Sequence, residues 1–254
     1  MSSQSPIKDR ARCLNLTNQG QSRTAWFAQV NRSDLEKSAT HVDEQGGFAP
    51  EAFLNEDELR QVQSFRFAPP RENFLLGRLA AKLALGALLK EPDWRQIQIT
   101  KGVLGQPLVA YARPHGAEVS LSHSEGVAIA VAFPREHPLA VDLETVDVGR
   151  ADTIKKVMPF SAAETHWLQS RAANEPTALV LLWTIKEALG KVLKCGITCP
   201  LELLAADQIK PIGDALWESH YRNFQQYKCL SWQQNNQVIS LVLPTATEVT
   251  LPPW

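Results

Sequence analysis

Apolar residues recur at helical spacing in two similar segments of the chain. Residues 78–90, RLAAKLALGALLK, and residues 182–194, LWTIKEALGKVLK, both place apolar side chains three and four positions apart. At one fixed offset the segments share the pattern K-x-A-L-G-x-x-L-K, which aligns Lys82 with Lys186. The pattern predicts two long helices, and the shared letters indicate an internal repeat.

The segments around these helices repeat in the same order. A small polar residue followed by acidic residues, typical of a helix start, occurs in FLNEDEL from residue 53 and in FSAAETHWL from residue 160. A strand-like apolar run ending in proline follows each long helix, at residues 126–134 and 236–244. The helix match alone could arise by chance, because Ala and Leu are common. The shared order predicts a duplicated α+β half, with a boundary near residues 134–138 that separates residues 1–136 from 137–254.

Other segments are simpler to interpret. Residues 96–100, 117–123 and 139–144 are further strand candidates. Residues 1–19 look like a polar, frayed lead-in without the apolar core of a signal peptide. The role of the wider N-terminal tail stays open, and Trp254 is interpreted as a packing anchor.

Composition narrows the class of protein. The formal net charge of −1 gives no global basic field, so it does not indicate nucleic-acid binding. No apolar run approaches the roughly 18 residues that a membrane-spanning helix needs. With 44% hydrophobic and 21% charged residues, the chain has the composition of an ordinary globular protein.

The cysteines do not form a recognisable framework. Cys195 and Cys199 make a C-x3-C pair, while Cys13 and Cys229 stand far away. No second Cys or His pair lies near enough in sequence to complete a zinc site. We expect reduced, structural thiols, which fits a cytoplasmic protein.

Two carboxylates stand together in the segment LAVDLE, residues 139–144. Strand alternation places Asp142 and Glu144 on one face and apolar residues on the other. Carboxylates this close repel each other unless positive charge lies between them. Mg²⁺ fits, because it takes one or two protein carboxylates and leaves other positions to water and phosphate. The alternative is a strand end with two solvated acids, since D-x-E is short and frequent.

The second predicted long helix adds candidates. Trp183, Glu187 and Lys191 follow i, i+4, i+8 spacing and share one face, with Lys186 beside them. Glu187 could be a third metal ligand, and Lys191 could hold a phosphate oxygen as a point charge. An ordinary Glu–Lys surface pair is the alternative.

A third candidate element is SLSHSEG, residues 120–126. Ser122 and Ser124 flank His123, and the three side chains could converge on an anion. The arrangement is not a hydrolase triad, because adjacent strand residues point to opposite faces. A hydrogen-bonded turn histidine is the alternative.

Taken in order, these segments resemble the surfactin-type (Sfp-like) 4′-phosphopantetheinyl transferases. That family's signature is G-x-P, x-x-S-H, G-[VI]-D-[IL]-E, F-S-x-x-E and W-x-x-K-E-A-x-x-K. Similar segments here are GQP at 105–107, SLSHS at 120–124, AVDLE at 140–144, PFSAAE at 159–164 and WTIKEALGK at 183–191. FLLGRLAAK, residues 74–82, resembles the basic helix of the family's first half. The resemblance runs from about residue 53 to residue 201.

The resemblance implies an α+β fold of two similar halves in a pseudo-twofold arrangement, with coenzyme A in the cleft between them. Asp142, Glu144 and Glu187 would ligate Mg²⁺ on the coenzyme A pyrophosphate, and Glu187 or a metal-bound water would deprotonate the acceptor serine. Lys191 would steady the pyrophosphate and the departing 3′,5′-ADP. The coenzyme A contacts implied by the resemblance are His123, Ser122, Lys82, Arg78, Lys186 and Lys191.

Some positions depart from the family pattern. Gln106 stands where many members have lysine, Ala140 replaces the usual glycine before D-x-E, and Ser120 replaces a frequent asparagine. Basic residues before the first long helix are only partly reproduced, by Arg66 and Arg71. The three carboxylates and Lys191 are intact, so we expect activity, with coenzyme A affinity as the property most affected.

The function implied is Mg²⁺-dependent transfer of 4′-phosphopantetheine from coenzyme A to a serine of an apo acyl, peptidyl or aryl carrier protein. The alternatives are an inactive paralogue that binds coenzyme A or a carrier protein, and a structural α+β protein. The expected partners are coenzyme A and apo carrier proteins, docked on a local basic or apolar patch. Neither nucleic acid nor membrane is expected as a partner. The predicted pseudo-dimer favours a monomer.

Overall fold

The computed structural model describes residues 10–35, 49–114 and 116–251. Trp254, interpreted above as a packing anchor, lies outside the described residues, as do residues 1–9 and 36–48 of the N-terminal part. The chain divides into two compact units, with the division between Glu136 and His137. The segment that begins at Glu248 returns to the first unit, so unit 1 contains both ends of the described chain.

Each unit combines strands with one long helix. In chain order the helices are α1 (Pro50–Phe53), α2 (Glu56–Ser64), α3 (Ala68–Leu89), α4 (Val148–Val157), α5 (Ala162–Gln169) and α6 (Glu175–Val192). The strands are β1 (Ala11–Asn18), β2 (Gln21–Asn31), β3 (Ile97–Lys101), β4 (Pro107–Tyr111), β5 (Ala117–Ser124), β6 (Val127–Pro134), β7 (Ala140–Thr145), β8 (Ala206–Gly213), β9 (Leu216–Tyr221), β10 (Tyr227–Gln234), β11 (Gln237–Pro244) and β12 (Thr247–Val249). Short 3₁₀ turns occupy Arg32–Asp34, Trp94–Gln96, Ala172–Asn174 and Gly196–Thr198.

The two units have corresponding topologies. The sheet of unit 1 has the order β12-β1-β2-β6-β5, with β3 and β4 forming a separate hairpin. The sheet of unit 2 has the order β7-β11-β10-β9-β8. The antiparallel hairpin β5–β6 therefore corresponds to β10–β11, β2 to β7, and α3 to α6. The predicted α+β fold of two similar halves is confirmed.

The predicted helix starts are confirmed in atomic detail. Asn55 accepts a hydrogen bond from the backbone N–H of Glu58, and the Glu58 side chain accepts one from the N–H of Asn55. Ser161 and Glu164 make the same reciprocal pair at the start of α5. Both are capping boxes, which satisfy backbone donors that a helix start leaves unpaired.

The interpretation of residues 1–19 as a frayed lead-in is wrong for the part that the structure describes. Residues from Ala11 onward form β1, which pairs antiparallel with β2 through a two-residue turn. Gln19 and Gly20 both have positive φ in that turn, as a tight hairpin of this kind requires. Leu14 and Leu16 are fully buried while Asn15 is exposed, so the strand follows a period of two. β2 in turn pairs with β6 at the centre of the sheet.

Long helices cover one face of each sheet. α3 contacts β2, β5 and β6, and α6 contacts β7 and β11. Thr184 of α6 shares a hydrogen bond of 2.8 Å with Ser240 of β11, which fixes the helix on its sheet inside an apolar layer. Among the helices that the structure describes, none is long and apolar enough to span a bilayer.

Candidate active site

Strand β7 presents two carboxylates on the face that α6 covers. Asp142 is buried, and the Glu144 side chain keeps 20% of its surface exposed. Their neighbours Val141 and Leu143 are buried on the opposite face. β7 pairs with β11 over its whole length, so the strand is held rigidly in register. The alternation predicted for residues 139–144 is confirmed.

Helix α6 brings Lys191 to the first of these carboxylates. Lys191 Nζ lies 2.8 Å from Asp142 Oδ1 and 3.1 Å from the carbonyl oxygen of Val141. The lysine side chain is 26% exposed and the Asp142 side chain 6%. One face of the Lys191 ammonium group is therefore fixed by protein acceptors, while the group still reaches solvent. A Glu–Lys pair on an ordinary helix surface does not describe this arrangement.

Glu187 lies one turn before Lys191 and experiences the charges of the same cluster. Burial, and then the negative charges of Asp142 and Glu144, raise the pKa of the Glu187 carboxyl to about 7, against the opposing charges of Lys191 and Arg150. Carboxylates that interact this way lie in one electrostatic neighbourhood. The structure thus brings together Asp142, Glu144, Glu187 and Lys191, all in unit 2.

Arg150 is a member of this cluster that the sequence analysis missed. It forms an ion pair with Glu144, and its guanidinium carbon lies 5.2 Å from the centroid of the Trp183 ring. Asp147 caps the start of α4 and accepts a hydrogen bond from the backbone N–H of Arg150. The N-cap Asp147, three residues before Arg150, predicts the helix start, but nothing in the sequence predicts which face the arginine takes.

The donor chemistry of the cluster fits a hard divalent cation. Asp142, Glu144 and Glu187 supply carboxylate oxygens, which are the ligands that Mg²⁺ prefers. Within the described residues, no three acidic, His or Cys side chains already stand in a metal-holding geometry. Lys191 and Arg150 instead carry the positive charge that Asp142 and Glu144 need. Metal binding would therefore require these two cations to share or release their carboxylates.

His123 and Ser122 lie at the end of β5 in unit 1. His123 is exposed, while Ser122 is buried, because successive strand residues point to opposite faces. The turn after Ser124 is a two-residue hairpin in which Glu125 and Gly126 both have positive φ. His123 is thus exposed at the strand end, but Ser122 does not join it on one surface, contrary to the expected convergence.

Lys82 and Lys186, expected to contact coenzyme A phosphates, are enclosed in their units. Lys82 Nζ bonds to the carboxylate of Glu58 and lies 2.7 Å from the carbonyl oxygen of Phe53, with a side-chain exposure of 0%. Lys186 Nζ lies 3.2 Å from Glu164 Oε2 and 3.0 Å from the carbonyl oxygen of Pro159, with an exposure of 1%. A phosphate could reach neither ammonium without unpacking the unit, so this expectation is corrected.

These two lysines occupy equivalent places in the repeat. Glu58 and Glu164 are both the third residue of a capping box, and each also accepts a backbone N–H from a later segment. The donors are Ile99 N at 3.3 Å and Ala206 N at 3.0 Å. In each unit the lysine therefore joins the short helix to the long helix through one fully bonded carboxylate.

Arg78 has a similar structural role in unit 1. Its side chain is 10% exposed, with Nε 3.3 Å from Glu58 Oε1, and it donates a 2.9 Å hydrogen bond to the carbonyl oxygen of Ile99. Its guanidinium carbon also lies 4.6 Å from the centroid of the Phe74 ring. These contacts with Glu58, Ile99 and Phe74 hold the guanidinium inside the unit, which counts against the expectation that it holds a coenzyme A phosphate.

Gln106, which replaces a lysine of the family pattern, organises the loop between β3 and β4. Its side-chain oxygen accepts a 3.0 Å hydrogen bond from the backbone N–H of Leu104. The same side chain lies against Gly102, where an added Cβ would come within 2.4 Å of it. Gln106 thus has a structural reason to be an amide in this chain.

Comparisons with known proteins identify a family for the segment that carries the cluster. The model of the 4′-phosphopantetheinyl transferase superfamily matches residues 138–242, the part of unit 2 that carries the cluster. A holo-[acyl-carrier-protein] synthase of Staphylococcus carnosus (strain TM300) is 33% identical over 84 residues, which are 31% of this chain and 71% of the relative.

Two solved structures are also similar over part of the chain. A holo-(acyl-carrier-protein) synthase of Bacillus anthracis, in complex with CoA (3′,5′-ADP), has 21% identity and a TM-score of 0.37 over 47% of this chain and 96% of that chain. The holo-[acyl-carrier-protein] synthase of Thermotoga maritima has 18% identity and a TM-score of 0.32 over 60% of this chain and 80% of that chain.

Proposed function

The chain belongs to the 4′-phosphopantetheinyl transferase superfamily, and from this premise we propose that it modifies a serine of an apo carrier protein in a Mg²⁺-dependent reaction. Its similarity to a holo-[acyl-carrier-protein] synthase supports transfer of phosphopantetheine from coenzyme A to a carrier protein. The metal, the acceptor serine and the role of each side chain are our proposals.

One observation carries the proposal: the contact between Lys191 and Asp142 inside the segment that matches the family model. It brings a cation and carboxylates from two different elements to one place, on a rigid strand and a rigid helix. Phosphoryl-type transfer needs positioning and charge neutralisation more than covalent chemistry. A cluster of this composition supplies both.

Asp142, Glu144 and Glu187 would hold Mg²⁺. When bound, the ion would neutralise the pyrophosphate of coenzyme A and favour charge development on the leaving group. Burial first, and then the negative charges of Asp142 and Glu144, raise the pKa of Glu187 in the metal-free protein, and a bound cation would relieve the second of these causes.

The remaining chemistry falls to side chains of the chain itself. The acceptor serine oxygen forms a bond to the phosphorus that carries the pantetheine arm, and the bond from that phosphorus to the 3′,5′-ADP oxygen breaks. Glu187, as a carboxylate of the cluster, would take the serine proton. Lys191, held by the carbonyl oxygen of Val141 and sharing Asp142 with the metal, would donate to the departing phosphate oxygen.

His123 is the candidate in unit 1 for a coenzyme A phosphate, because it is exposed at a strand end. Ser122, Lys82 and Lys186 are left out of the proposed ligand set, since all three are buried. Arg78 is not included as a phosphate ligand either, because its guanidinium contacts Glu58 and Ile99 inside the unit. Phosphate binding in unit 1 would then depend on His123 and exposed basic residues such as Arg66 and Arg71.

We also propose the surfactin-type subfamily and a monomeric, cytoplasmic enzyme. The alignment with the holo-[acyl-carrier-protein] synthase covers 71% of that relative but only 31% of this chain. The chain contains two corresponding α+β units, as expected for a subfamily whose members carry both halves in one polypeptide. Light scattering of the purified chain measures the oligomeric state directly.

Intact-mass spectrometry tests the function. Fatty-acid, peptidyl and aryl apo carrier proteins are incubated separately with the chain, coenzyme A and Mg²⁺. The expected result is a mass gain of one phosphopantetheine arm on at least one carrier, lost in EDTA and on replacement of the acceptor serine by alanine. Coenzyme A binding without any mass gain across the three carriers would indicate an inactive binding paralogue instead.

A further inference from the structure

The C-x3-C pair has a geometry that its sequence does not reveal. Cys195 and Cys199 follow the end of α6 and are separated by a single 3₁₀ turn, Gly196–Thr198. Their sulfur atoms lie 3.6 Å apart, and both residues are partly exposed. By contrast, Cys229 is buried and Cys13 is exposed on β1, far away in sequence.

We propose that Cys195 and Cys199 are a redox modification site. They form a reversible intrachain disulfide, which shifts the last turn of α6 and with it the position of Lys191. A disulfide needs a sulfur–sulfur distance of about 2.05 Å, so closure requires an approach of about 1.5 Å. The connecting turn can supply this movement. Gly196 has φ of +53°, and as a glycine without a Cβ it can change its backbone angles at little cost.

The thiols differ in their readiness to react. Burial, together with the hydrogen bond and the charge of Cys199, raises the pKa of the Cys195 thiol to about 11. Two carbonyl oxygens also lie near Cys195 Sγ, that of Gly196 at 3.5 Å and that of Gly190 at 3.7 Å, and both accept from the protonated thiol. With Cys195 held as a thiol by these acceptors, Cys199 is the first nucleophile and Cys195 the resolving thiol.

The oxidation is balanced with a low-molecular-weight disulfide such as oxidised glutathione. The Cys199 thiolate attacks one glutathione sulfur and expels the first glutathione thiolate. Cys195 then loses its proton to solvent and attacks Cys199 Sγ, which expels the second glutathione. The cysteine pair is oxidised by two electrons, and oxidised glutathione is reduced to two thiols.

The pair is coupled to Lys191 through the last turn of α6. The backbone N–H of Cys195 donates a 3.0 Å hydrogen bond to the carbonyl oxygen of Gly190, the residue before Lys191. Gly190 is also so close to the loop that an added Cβ would lie 2.5 Å from the carbonyl oxygen of Gly196. A shift of Cys195 is therefore transmitted to the turn that holds Lys191 on Asp142.

The first readout is the disulfide itself, which is independent of the proposed transfer reaction. The full chain is equilibrated in graded ratios of reduced to oxidised glutathione, alkylated with N-ethylmaleimide and analysed by peptide mass. We expect a Cys195–Cys199 crosslink that dithiothreitol reverses, also in a Cys13→Ser variant. In Cys195→Ser, a glutathione adduct should accumulate on Cys199. Full alkylation of both thiols in the most oxidising buffer would overturn the proposal.

The second readout is phosphopantetheine transfer, and it rests on the proposed function. Oxidised wild type should transfer about 10- to 100-fold more slowly than reduced wild type, because a displacement of about 1 Å in a catalytic group costs this much. Cys199→Ser should transfer equally well in both buffers. A crosslink with unchanged transfer would refute the coupling to Lys191. Absence of transfer in reduced wild type would count against the proposed function and leave the crosslink result standing.

Discussion

Lys186 Nζ lies 3.2 Å from Glu164 Oε2, with side-chain exposures of 1% and 0%, whereas Lys191, on the same helix, pairs with Asp142 at 2.8 Å and is 26% exposed. The two lysines are five residues apart on one helix and are the same residue type. The difference in burial indicates that Lys186 has a structural role and that Lys191 belongs to the candidate site.

Lys186→Met should therefore lower the free energy of unfolding by about 3–5 kcal/mol, because it leaves the Glu164 carboxylate buried without its cation. The coenzyme A affinity of the folded fraction should not change. Lys191→Met is the functional comparison: it should remove most transfer, and it should also lose stability, because it leaves the buried Asp142 carboxylate without its cation. Urea unfolding and calorimetric titration with coenzyme A measure both quantities. Loss of coenzyme A binding in a stable Lys186→Met protein would show that the buried lysine does reach the ligand.

Asp142→Asn should reduce kcat/KM for carrier modification by about 100-fold or more, because it removes a charge that acts on both Lys191 and the proposed metal. Stability should change by no more than about 1 kcal/mol, since Lys191 stays partly exposed and can be solvated. Transfer is followed by carrier mass and stability by urea unfolding. Asp207→Asn, at an exposed site, serves as the control. Near-wild-type transfer by Asp142→Asn in Mg²⁺ would exclude Asp142 as a ligand.

The parts of the site that depend on local periodicity could be predicted from the sequence. Asp142 and Glu144 share a face because a strand has a period of two, and Glu187 and Lys191 share a face because a helix turn has about four residues. The strands around them are apolar enough to fix these faces. For the same reason β5, β6, β7 and β11 were predicted within one or two residues of their observed bounds.

Other features depend on where a side chain points in three dimensions. The family resemblance assigned Lys82 and Lys186 to coenzyme A, yet both face a buried carboxylate. The repeat already indicated a structural role for these lysines. Both halves have a lysine at the same position, and both have a glutamate in a capping box. Arg150 was missed because its contacts with Glu144 and Trp183 are set by the packing of α4, which no local pattern fixes.

Glu187→Gln should stabilise the metal-free protein at pH 8 but not at pH 4.5. The Glu187 carboxyl has its pKa raised from 4.5 to about 7, so the unfolded chain releases this proton at a lower pH than the folded chain. Stability of the wild type is therefore lost as pH rises through that window. We expect a gain for the variant on the order of 1–2 kcal/mol at pH 8, a discounted value because Glu187 is partly exposed.

The measurement is urea unfolding in EDTA across this pH range, with Glu202→Gln as a variant at an exposed glutamate. The difference between Glu187→Gln and wild type should grow from pH 4.5 to pH 8 and then level off. A gain of equal size at both ends of the range would mean that titration of Glu187 is not its cause.

Gly190→Ala should destabilise the protein, although alanine favours helices over glycine by about 1 kcal/mol. An added Cβ would lie 2.5 Å from the carbonyl oxygen of Gly196, so the loop that carries Cys195 and Cys199 must move. The atom that must move belongs to the backbone, which adjusts less easily than the end of a side chain. We therefore expect the free energy of unfolding to fall by about 1–3 kcal/mol.

Gly77→Ala provides the matched control inside α3, since its Cβ would meet only Leu121 Cδ1 at an ordinary 3.6 Å. This variant should be neutral or up to about 1 kcal/mol more stable, through helix propensity alone. Thermal and urea unfolding of both variants separate the two contributions. In Gly190→Ala the displaced loop should also change the distance between the Cys195 and Cys199 sulfur atoms. Crosslinking of this pair by oxidised glutathione should therefore fall along with the stability of the variant. Equal stability changes in the two variants would show that the α6–loop approach is not as close as this structure places it.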